Sequence, residues 1–395
     1  MKIAIIGSGI SGLSSALLLS QKHNITLFEI NKRFGGHANT VDIMYKQSLI
    51  PVDTGFIVYN KLNYPNLIGF FNFLKVETIN SDMSFAVSAR DGQLEYSGSM
   101  TGIFAQKRNL LNIKFYKMLK DIIVFFLFGY KYAFQVKENE SLGEYVKRCK
   151  FSEEFVNDHL IPMSSAIWSC PEREILNFPA KTLLTFFKNH QLINFIFRPK
   201  WRTVKGGSKQ YVNKVIEKLK KNKKNKFVLN SKIKSINSKN NKIEINLDKQ
   251  STNILSKYKY QKNTVYLHSD KKLMPKNKKT WSSWNYISSK KEEKSSVTYW
   301  MNLLQKINNS LNVFVSLNPY IIPSKSLTYK KIIYEHPIFN SKTNEAQSKM
   351  IEIQGKNNIF YAGAWLKYGF HEDGIASAVN ISKTLNVAVP WEKRN

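Results

Sequence analysis

A chain of 395 residues that is 43% apolar can bury a large core and is long enough for two domains. Its formal net charge is +32, but only eight of the sixty basic residues are arginine, and many lysines stand beside asparagine, as in Lys220-Lys221-Asn222-Lys223-Lys224. This is loop composition, not the arginine- and aromatic-rich face of a nucleic-acid binder, so no nucleic-acid partner is expected. Cys149 and Cys170 form no C-x-x-C and the seven histidines show no ligand spacing; neither a disulfide framework nor a metal site is expected, and the setting is a reducing cytoplasm.

The pattern begins with a strand over Lys2–Ile6, the glycine turn Gly7-Ser8-Gly9-Ile10-Ser11-Gly12, a helix over 11–20, and a second strand over 25–28 closed by Glu29. In such a G-x-G-x-x-G, Gly7 makes the tight turn and Gly9 lets the backbone approach a pyrophosphate. Gly12 lets the helix pack close, so that the first-turn amides of Ile10 and Ser11 face phosphate. Glu29 lies 17 residues after Gly12, where an acid accepts hydrogen bonds from ribose hydroxyls, with Asn31 beside it. A single lysine before the apolar run and three glycines within it are unlike a secretory signal.

Arg33-Phe34-Gly35-Gly36-His37-Ala38-Asn39-Thr40 follows at once. It resembles the R-x-G-G-x-x-x-T motif of the amine oxidase superfamily of FAD enzymes, which includes protoporphyrinogen oxidases and carotenoid (phytoene) desaturases. Val52-Asp53-Thr54-Gly55-Phe56, Ser81-Asp82-Met83-Ser84-Phe85, Ala362-Gly363-Ala364-Trp365 and Tyr368-Gly369-Phe370-His371-Glu372-Asp373-Gly374 look like a bacterial subgroup of FAD/NAD-binding oxidoreductases. The likeness runs over nearly the whole chain. It implies an α/β fold: a Rossmann-type FAD-binding domain with a second, α+β substrate domain. It also implies that Gly35, Gly36 and His37 lie against the FAD pyrophosphate, His37 standing where arginine is usual. Thr54, Gly55 and Phe56 would reach the flavin ring, and Ile233 would touch the adenine side through its backbone. Gly363, Gly374 and Ile375 would bring a helix of small residues to the flavin's pyrimidine edge.

Between these motifs the pattern predicts a strand pair over 41–60 and an amphipathic helix over 64–74. Strands follow over 81–96 about the hairpin signal Arg90-Asp91-Gly92. Helices are expected over 142–150 and 152–160, the latter capped by Ser152. An aromatic helical region covers 162–168 and 182–197, and a helix 211–219. Further strands are read over 227–229, 232–236, 242–247, 263–268, 297–303 and 358–363, with a last helix starting at Gly374. Residues 122–130, an apolar run with lysines on both sides, are too short to span a bilayer, which takes roughly 20 residues. They read as a buried core helix, or as an interfacial helix in peripheral contact with an anionic membrane at its inner, cytoplasmic face. The superfamily next carries a hairpin, a strand and a helix. Here residues 248–253 run straight into 254–260, without that strand and helix and without the subgroup's His-Asp-Gln signature.

The cofactor domain is therefore drawn over 1–60, 198–255 and 350–395, and the substrate domain over 61–197 and 256–349. No second G-x-G-x-x-G marks a separate NAD(P)H domain. The resemblance implies an oxidoreductase in which flavin accepts a hydride. The aromatic second domain and the 122–130 run favour an apolar acyl or isoprenoid small molecule undergoing desaturation or isomerisation. An amine oxidase, and a shortened FAD-binding protein without catalysis, are the alternatives. His371 and Glu372, on the loop before the flavin-facing helix, are the catalytic candidates, because histidine titrates near neutrality and can relay a proton. The sequence does not specify an oligomeric state.

Overall fold

A computed structural model describes residues 1–133, 135–137, 140–168, 172–189, 199–231, 248–289, 294–307 and 310–392. Ile233, the expected strands over 232–236 and 242–247, residues 190–198 and Cys170 lie outside this set.

The N-terminal pattern folds as its periodicity dictates. β1 (Lys2–Ile6), β2 (Asn24–Phe28) and β10 (Lys226–Val228) form a parallel sheet in the order β1-β2-β10, with Ile5 opposite Leu27 and Leu27 opposite Phe227. Against Ile5, Ile25 and Leu27 pack three helices: α1 (Ile10–Leu19) through Leu13 and Leu17, α5 (Lys209–Lys220) through Val212 and Val215, and α7 (His371–Thr384) through Ile375 and Ala378. α2 (Pro65–Phe73) adds Leu67, Phe70 and Phe71 to the same core.

A second sheet has seven strands in the order β15-β11-β14-β13-β12-β7-β8. These are β7 (Phe85–Ala89), β8 (Leu94–Ser97), β11 (Lys259–His268), β12 (Trp284–Ser289), β13 (Lys294–Trp300), β14 (Phe314–Leu317) and β15 (Thr328–Ile338). All neighbours are antiparallel except β12 beside β7. The β7–β8 turn places Arg90, Asp91 and Gly92 all at positive φ, as the Asp-Gly signal requires. A helical layer holds α3 (Ile113–Ala133) and α4 (Ala180–Asn189), whose Phe125, Leu183 and Phe187 share a core with Phe155 and Leu160. Two small sheets link these bodies: the hairpin β3 (Thr40–Tyr45) and β4 (Ser48–Asp53), and the set β5-β9-β6, namely β5 (Tyr59–Asn60), β6 (Thr78–Asn80) and β9 (Trp201–Val204).

Four local expectations differ from the structure. Residues 359–363 form no strand, because the backbone N–H and C=O of Tyr361 are both taken by the side-chain amide of Gln354, at 2.9 and 2.7 Å. The strand expected over 297–303 ends at Trp300 and turns into a helix, Met301–Leu304, that buries Met301 and Leu304. Residues 248–255 are not a bare connection: Asp248 caps a helix, α6 (Lys249–Leu255), through Ser251 N at 2.7 Å, and Ile254 packs with Ala346, Met350 and Ile353. α7 starts at His371, not Gly374, because Asp373 accepts the amides of Phe370 and Tyr368 at 3.0 and 3.2 Å and so caps it earlier.

One buried carboxylate ties the small hairpin to both larger bodies. Asp53, 1% exposed at the end of β4, accepts from Thr40 Oγ1 (2.6 Å), from Ser208 N and Oγ at the start of α5 (2.9 and 2.7 Å), and from Gln305 Nε2 (3.1 Å). Asp53→Asn turns one acceptor into a donor facing Ser208 N–H. It should lower unfolding stability by about 1–3 kcal/mol, measured by urea denaturation; an unchanged midpoint would contradict this role.

Candidate dinucleotide site

The loop after β1 is built by backbone contacts that leave no room for side chains. Gly7 turns at φ +94°, and a Cβ on Gly12 would lie 1.9 Å from the Gly7 carbonyl oxygen. Gly36 backs the loop from the other side, where a Cβ would fall 2.9 Å from Gly9 Cα. Gly35 N donates to Ser8 O at 3.0 Å. The Arg33 guanidinium holds the same segment from beneath, donating to Gly36 O (2.7 Å) and Ala38 O (3.1 Å). From the C-terminal end, a Cβ on Gly374 would meet Ile10 Cγ2 at 2.7 Å and Ser11 Oγ at 2.8 Å, so α7 rests directly on the first turn of α1, with Ile375 fully buried behind it. Gly7 and Gly9 open on empty space, with nothing within 4 Å of either Cβ position, and of the two only Gly9 has an ordinary φ. The amides of Ile10, Ser11 and Gly12 have no intrahelical acceptor there, and the positive end of the α1 dipole faces that opening.

Glu29 and Asn31 stand together at the end of β2. Glu29 Oε2 accepts from Ser8 N and Oγ (2.9 and 2.6 Å), and Oε1 from Asn31 N and Nδ2 (2.9 and 2.7 Å). Burial pushes the Glu29 carboxyl up, but these four bonds outweigh it and hold its pKa below the ordinary value.

Gly55 approaches protein closely: a Cβ would lie 2.3 Å from His37 O, and Phe56 N donates to that oxygen at 2.8 Å. Thr54 bonds Asn39 O through both N and Oγ1 (3.0 and 2.9 Å). Gly363 is likewise filled, by the Trp365 indole, and its N–H donates to Ser377 Oγ at 3.0 Å.

Two aromatic groups flank these loops. His37 stacks on Tyr334 of β15 (centroids 4.9 Å apart, planes 24°) and lies 5.1 Å from the His336 ring. Tyr334 OH takes Asn39 Nδ2 at 2.8 Å and pairs with Thr54 Oγ1 at 2.8 Å. His336 Nδ1 accepts from Asn263 Nδ2 at 2.7 Å, and Asn318 fixes that amide through its oxygen at 2.6 Å. His37 Nε2 is buried without a partner. The sequence reading missed Tyr334 and His336; the only signal was their two-residue spacing, which puts both on one face of a strand. In the second group Phe56 stacks on His371 at 3.7 Å and 17°, and His371 Nε2 lies 3.1 Å from the buried Tyr211 hydroxyl.

The catalytic candidates behave differently from expectation. Burial, then the neighbouring His37, lowers the pKa of His371 to about 3, so it is neutral at physiological pH and does not titrate near neutrality. Burial likewise holds His37 and His336 at about 4. Glu372 points away from the aromatic group: its oxygens accept from Asn66 N (3.0 Å), Asn66 Nδ2 (2.8 Å) and Leu67 N (2.9 Å), capping α2. It is a helix cap, and both residues lie in the first turn of α7, not on a loop. Among the described residues no group of three His, Cys, Asp or Glu side chains is placed to hold a metal ion.

Residues 5–74 match the NAD(P)-binding Rossmann-like domain family. No curated protein matches the chain by sequence. Solved structures match over nearly the whole length. Cyclohexylamine oxidase from Brevibacterium oxydans IH-35A is 12% identical, with 98% of this chain and 99% of that one covered at a TM-score of 0.65. A fatty acid isomerase from P. acnes, producer of CLA, is 13% identical, covering 97% and 98% at 0.63. A protein proposed as a protoporphyrinogen oxidase, from Exiguobacterium sp. 255-15, is 13% identical, covering 97% and 98% at 0.64.

The buried histidines set the acid limit of the fold. His37, His159, His268 and His336 are lowered to about 4 and His371 to about 3, by burial in each case. Each therefore contributes stability that is complete above its unfolded value near 6.5 and lost as pH falls toward 4. Asp53 and Asp373, raised by burial to about 6, act in the opposite sense between about 6 and 3.8 but are fewer. The melting temperature should fall by more than about 5 °C between pH 7 and roughly 4.5. A flat or rising profile in scanning calorimetry would contradict these assignments. Taken with the geometry, the comparisons show a Rossmann-like dinucleotide-binding domain over residues 5–74 and, over nearly the whole chain, a fold shared with these solved structures.

Proposed function

We propose that the chain is an FAD-dependent oxidoreductase acting on an apolar substrate. The observation that carries the cofactor is the glycine cradle: it is closed by protein at Gly12, Gly36 and Gly374 and open over Gly7 and Gly9, at the N-terminus of α1. The donor set fits a dinucleotide diphosphate. Amides of the first turn of α1 point at the opening, and His37 Nε2 is a buried polar atom awaiting a partner. Glu29 would hold the ribose by exchanging its two side-chain donors, Ser8 Oγ and Asn31 Nδ2, for hydroxyls while keeping its two backbone N–H bonds. When bound, FAD supplies hydride acceptance at its flavin ring. The chain's own part is to position substrate, exclude water and keep the surroundings neutral. Phe56, His371 and Tyr211 do this as a packed aromatic wall, with His371 acting as an uncharged ring and hydrogen-bond partner.

The substrate class follows from where the carboxylates are. Glu29, Asp53, Glu372 and Asp373 lie at or beside the loops, and all four are engaged by backbone N–H groups. None is free to neutralise an ammonium group, which favours an acyl or isoprenoid chain undergoing desaturation or isomerisation. A structural neighbour is a fatty acid isomerase. A second reading, oxidation of an amine, rests on the stacked Phe56–His371 pair, since aromatic faces also attract cations; cyclohexylamine oxidase is another neighbour.

Anaerobic mixing of FAD-loaded protein with unsaturated acyl and isoprenoid chains, and separately with primary amines, distinguishes the two. Bleaching of the oxidised-flavin band by an apolar substrate, or its turnover to a double-bond isomer, is expected. Bleaching by amines alone would overturn the apolar reading.

A further inference from the structure

The apolar run in α3 is used on both faces. Its inner face is ordinary core: Phe115, Met118, Ile122, Phe125 and Phe126 recur at helical spacing and are buried or packed against buried clusters. The outer face should then be polar, and it is not. Ile113, Tyr116, Ile123 and Leu127 fall on one outward stripe at helical spacing, with Phe128 beside it, and all are exposed, Ile113 at 75% and Leu127 at 60%. The stripe runs about 21 Å along the helix. It continues onto the preceding loop, where Met100 and Leu111 are each 92% exposed. Loop and helix form one surface, because Tyr116 OH donates to Leu110 O at 3.0 Å and the Phe104 ring packs 6.0 Å from Phe115 and 6.3 Å from Tyr116.

The charges on this surface are of one sign. Lys107, Arg108, Lys114, Lys117 and Lys120 surround the apolar residues, and none forms an ion pair among the described residues. Asp121, the only acid from 100 to 128, is turned inward to Ser152 N at 2.7 Å. An open groove of about 690 Å³ lies where the loop meets the helix, lined by Arg108, Asn112 and Lys114 beside Leu111 and Ile113. Cationic and amide donors next to exposed leucine and isoleucine suit a phosphate headgroup above acyl chains.

No helix among the described residues is long and apolar enough to cross a membrane. We propose that residues 100–128 dock the protein on an anionic lipid bilayer, with α3 lying in the plane of the interface and Met100, Leu111, Ile113 and Leu127 inserted among the acyl chains. A second copy of this chain is a poor occupant, because an isologous contact would set five cations against their own copies. This inference stands apart from the flavin reading: it uses none of the same residues and its test needs no cofactor or turnover. If both hold, the inner face of α3 leads from the bilayer into the cluster against which Phe370 packs, next to His371.

The test is co-sedimentation of the full chain with phosphatidylcholine vesicles with and without phosphatidylglycerol. Binding is expected to the anionic vesicles, to weaken at high salt, and to be weak on the neutral ones. The triple variant Lys114→Glu, Lys117→Glu, Lys120→Glu should lose at least about tenfold in binding. The double variant Leu111→Ser, Ile113→Ser should lose a similar factor while keeping salt dependence. Both alter exposed side chains, and unchanged circular dichroism melting confirms that they fold. Lys223→Glu with Lys224→Glu, exposed and outside the patch, controls for net charge and should change binding less than about twofold. Equal loss in the control, binding that survives both patch variants, or no wild-type binding to anionic vesicles would each overturn the proposal. So would self-association in sedimentation velocity that the Leu111→Ser, Ile113→Ser variant abolishes.

Discussion

The fold depends on four segments of backbone that pack closely against one another at glycines. The turn after β1, the Gly35–Gly36 loop, the Gly55 turn and the start of α7 come from positions more than 300 residues apart, yet each meets another at distances a Cβ would violate. These contacts are backbone on backbone, except that Gly374 meets the side chains of Ile10 and Ser11, so the amides between them stay exposed toward a single opening. That opening, over Gly7 and Gly9 at the positive end of α1, is where the cluster is left unfilled. The rest of the chain acts as support: α5 and α2 brace the cluster from behind, and β15 delivers Tyr334 and His336 to its side.

Around this cluster the charged groups are held by hydrogen bonds, Glu29 by Ser8 and Asn31 and Arg33 by the carbonyls of Gly36 and Ala38. The histidines are held uncharged by burial, and the carboxylates are assigned to helix N-termini, Asp53 to α5, Glu372 to α2 and Asp373 to α7. Charge is thereby moved to the exterior, where a net charge of +32 resides largely on exposed lysine.

The parts of this arrangement legible in the sequence were those written in local spacing. The β1-turn-α1-β2 unit follows from three glycines and an alternation of apolar residues, and the Arg90-Asp91-Gly92 turn from one dipeptide. Long-range partnerships left no such trace. Nothing near residue 361 indicates that Gln354 would occupy the backbone groups of Tyr361 and abolish a strand. Nothing at Glu372 indicates that the amides of Asn66 and Leu67 lie opposite it. His371 was read by its intrinsic chemistry; its neutrality comes from Phe56 and Tyr211, 315 and 160 positions away. The 122–130 run was legible as apolar but not as two-faced, since the core on one side of α3 forms only on folding.

The most direct test of the account is a titration of FAD into the wild-type chain and into Gly9→Ala, followed by flavin fluorescence alongside thermal melting. The methyl group meets nothing in the folded protein, and Gly9 has an ordinary φ of −64°. The account therefore predicts equal melting temperatures, one equivalent of FAD on the wild type, and binding at least about tenfold weaker on the variant, where the methyl occupies space meant for phosphate. Equal binding by both proteins, or a folded wild type that takes up no FAD, would contradict it.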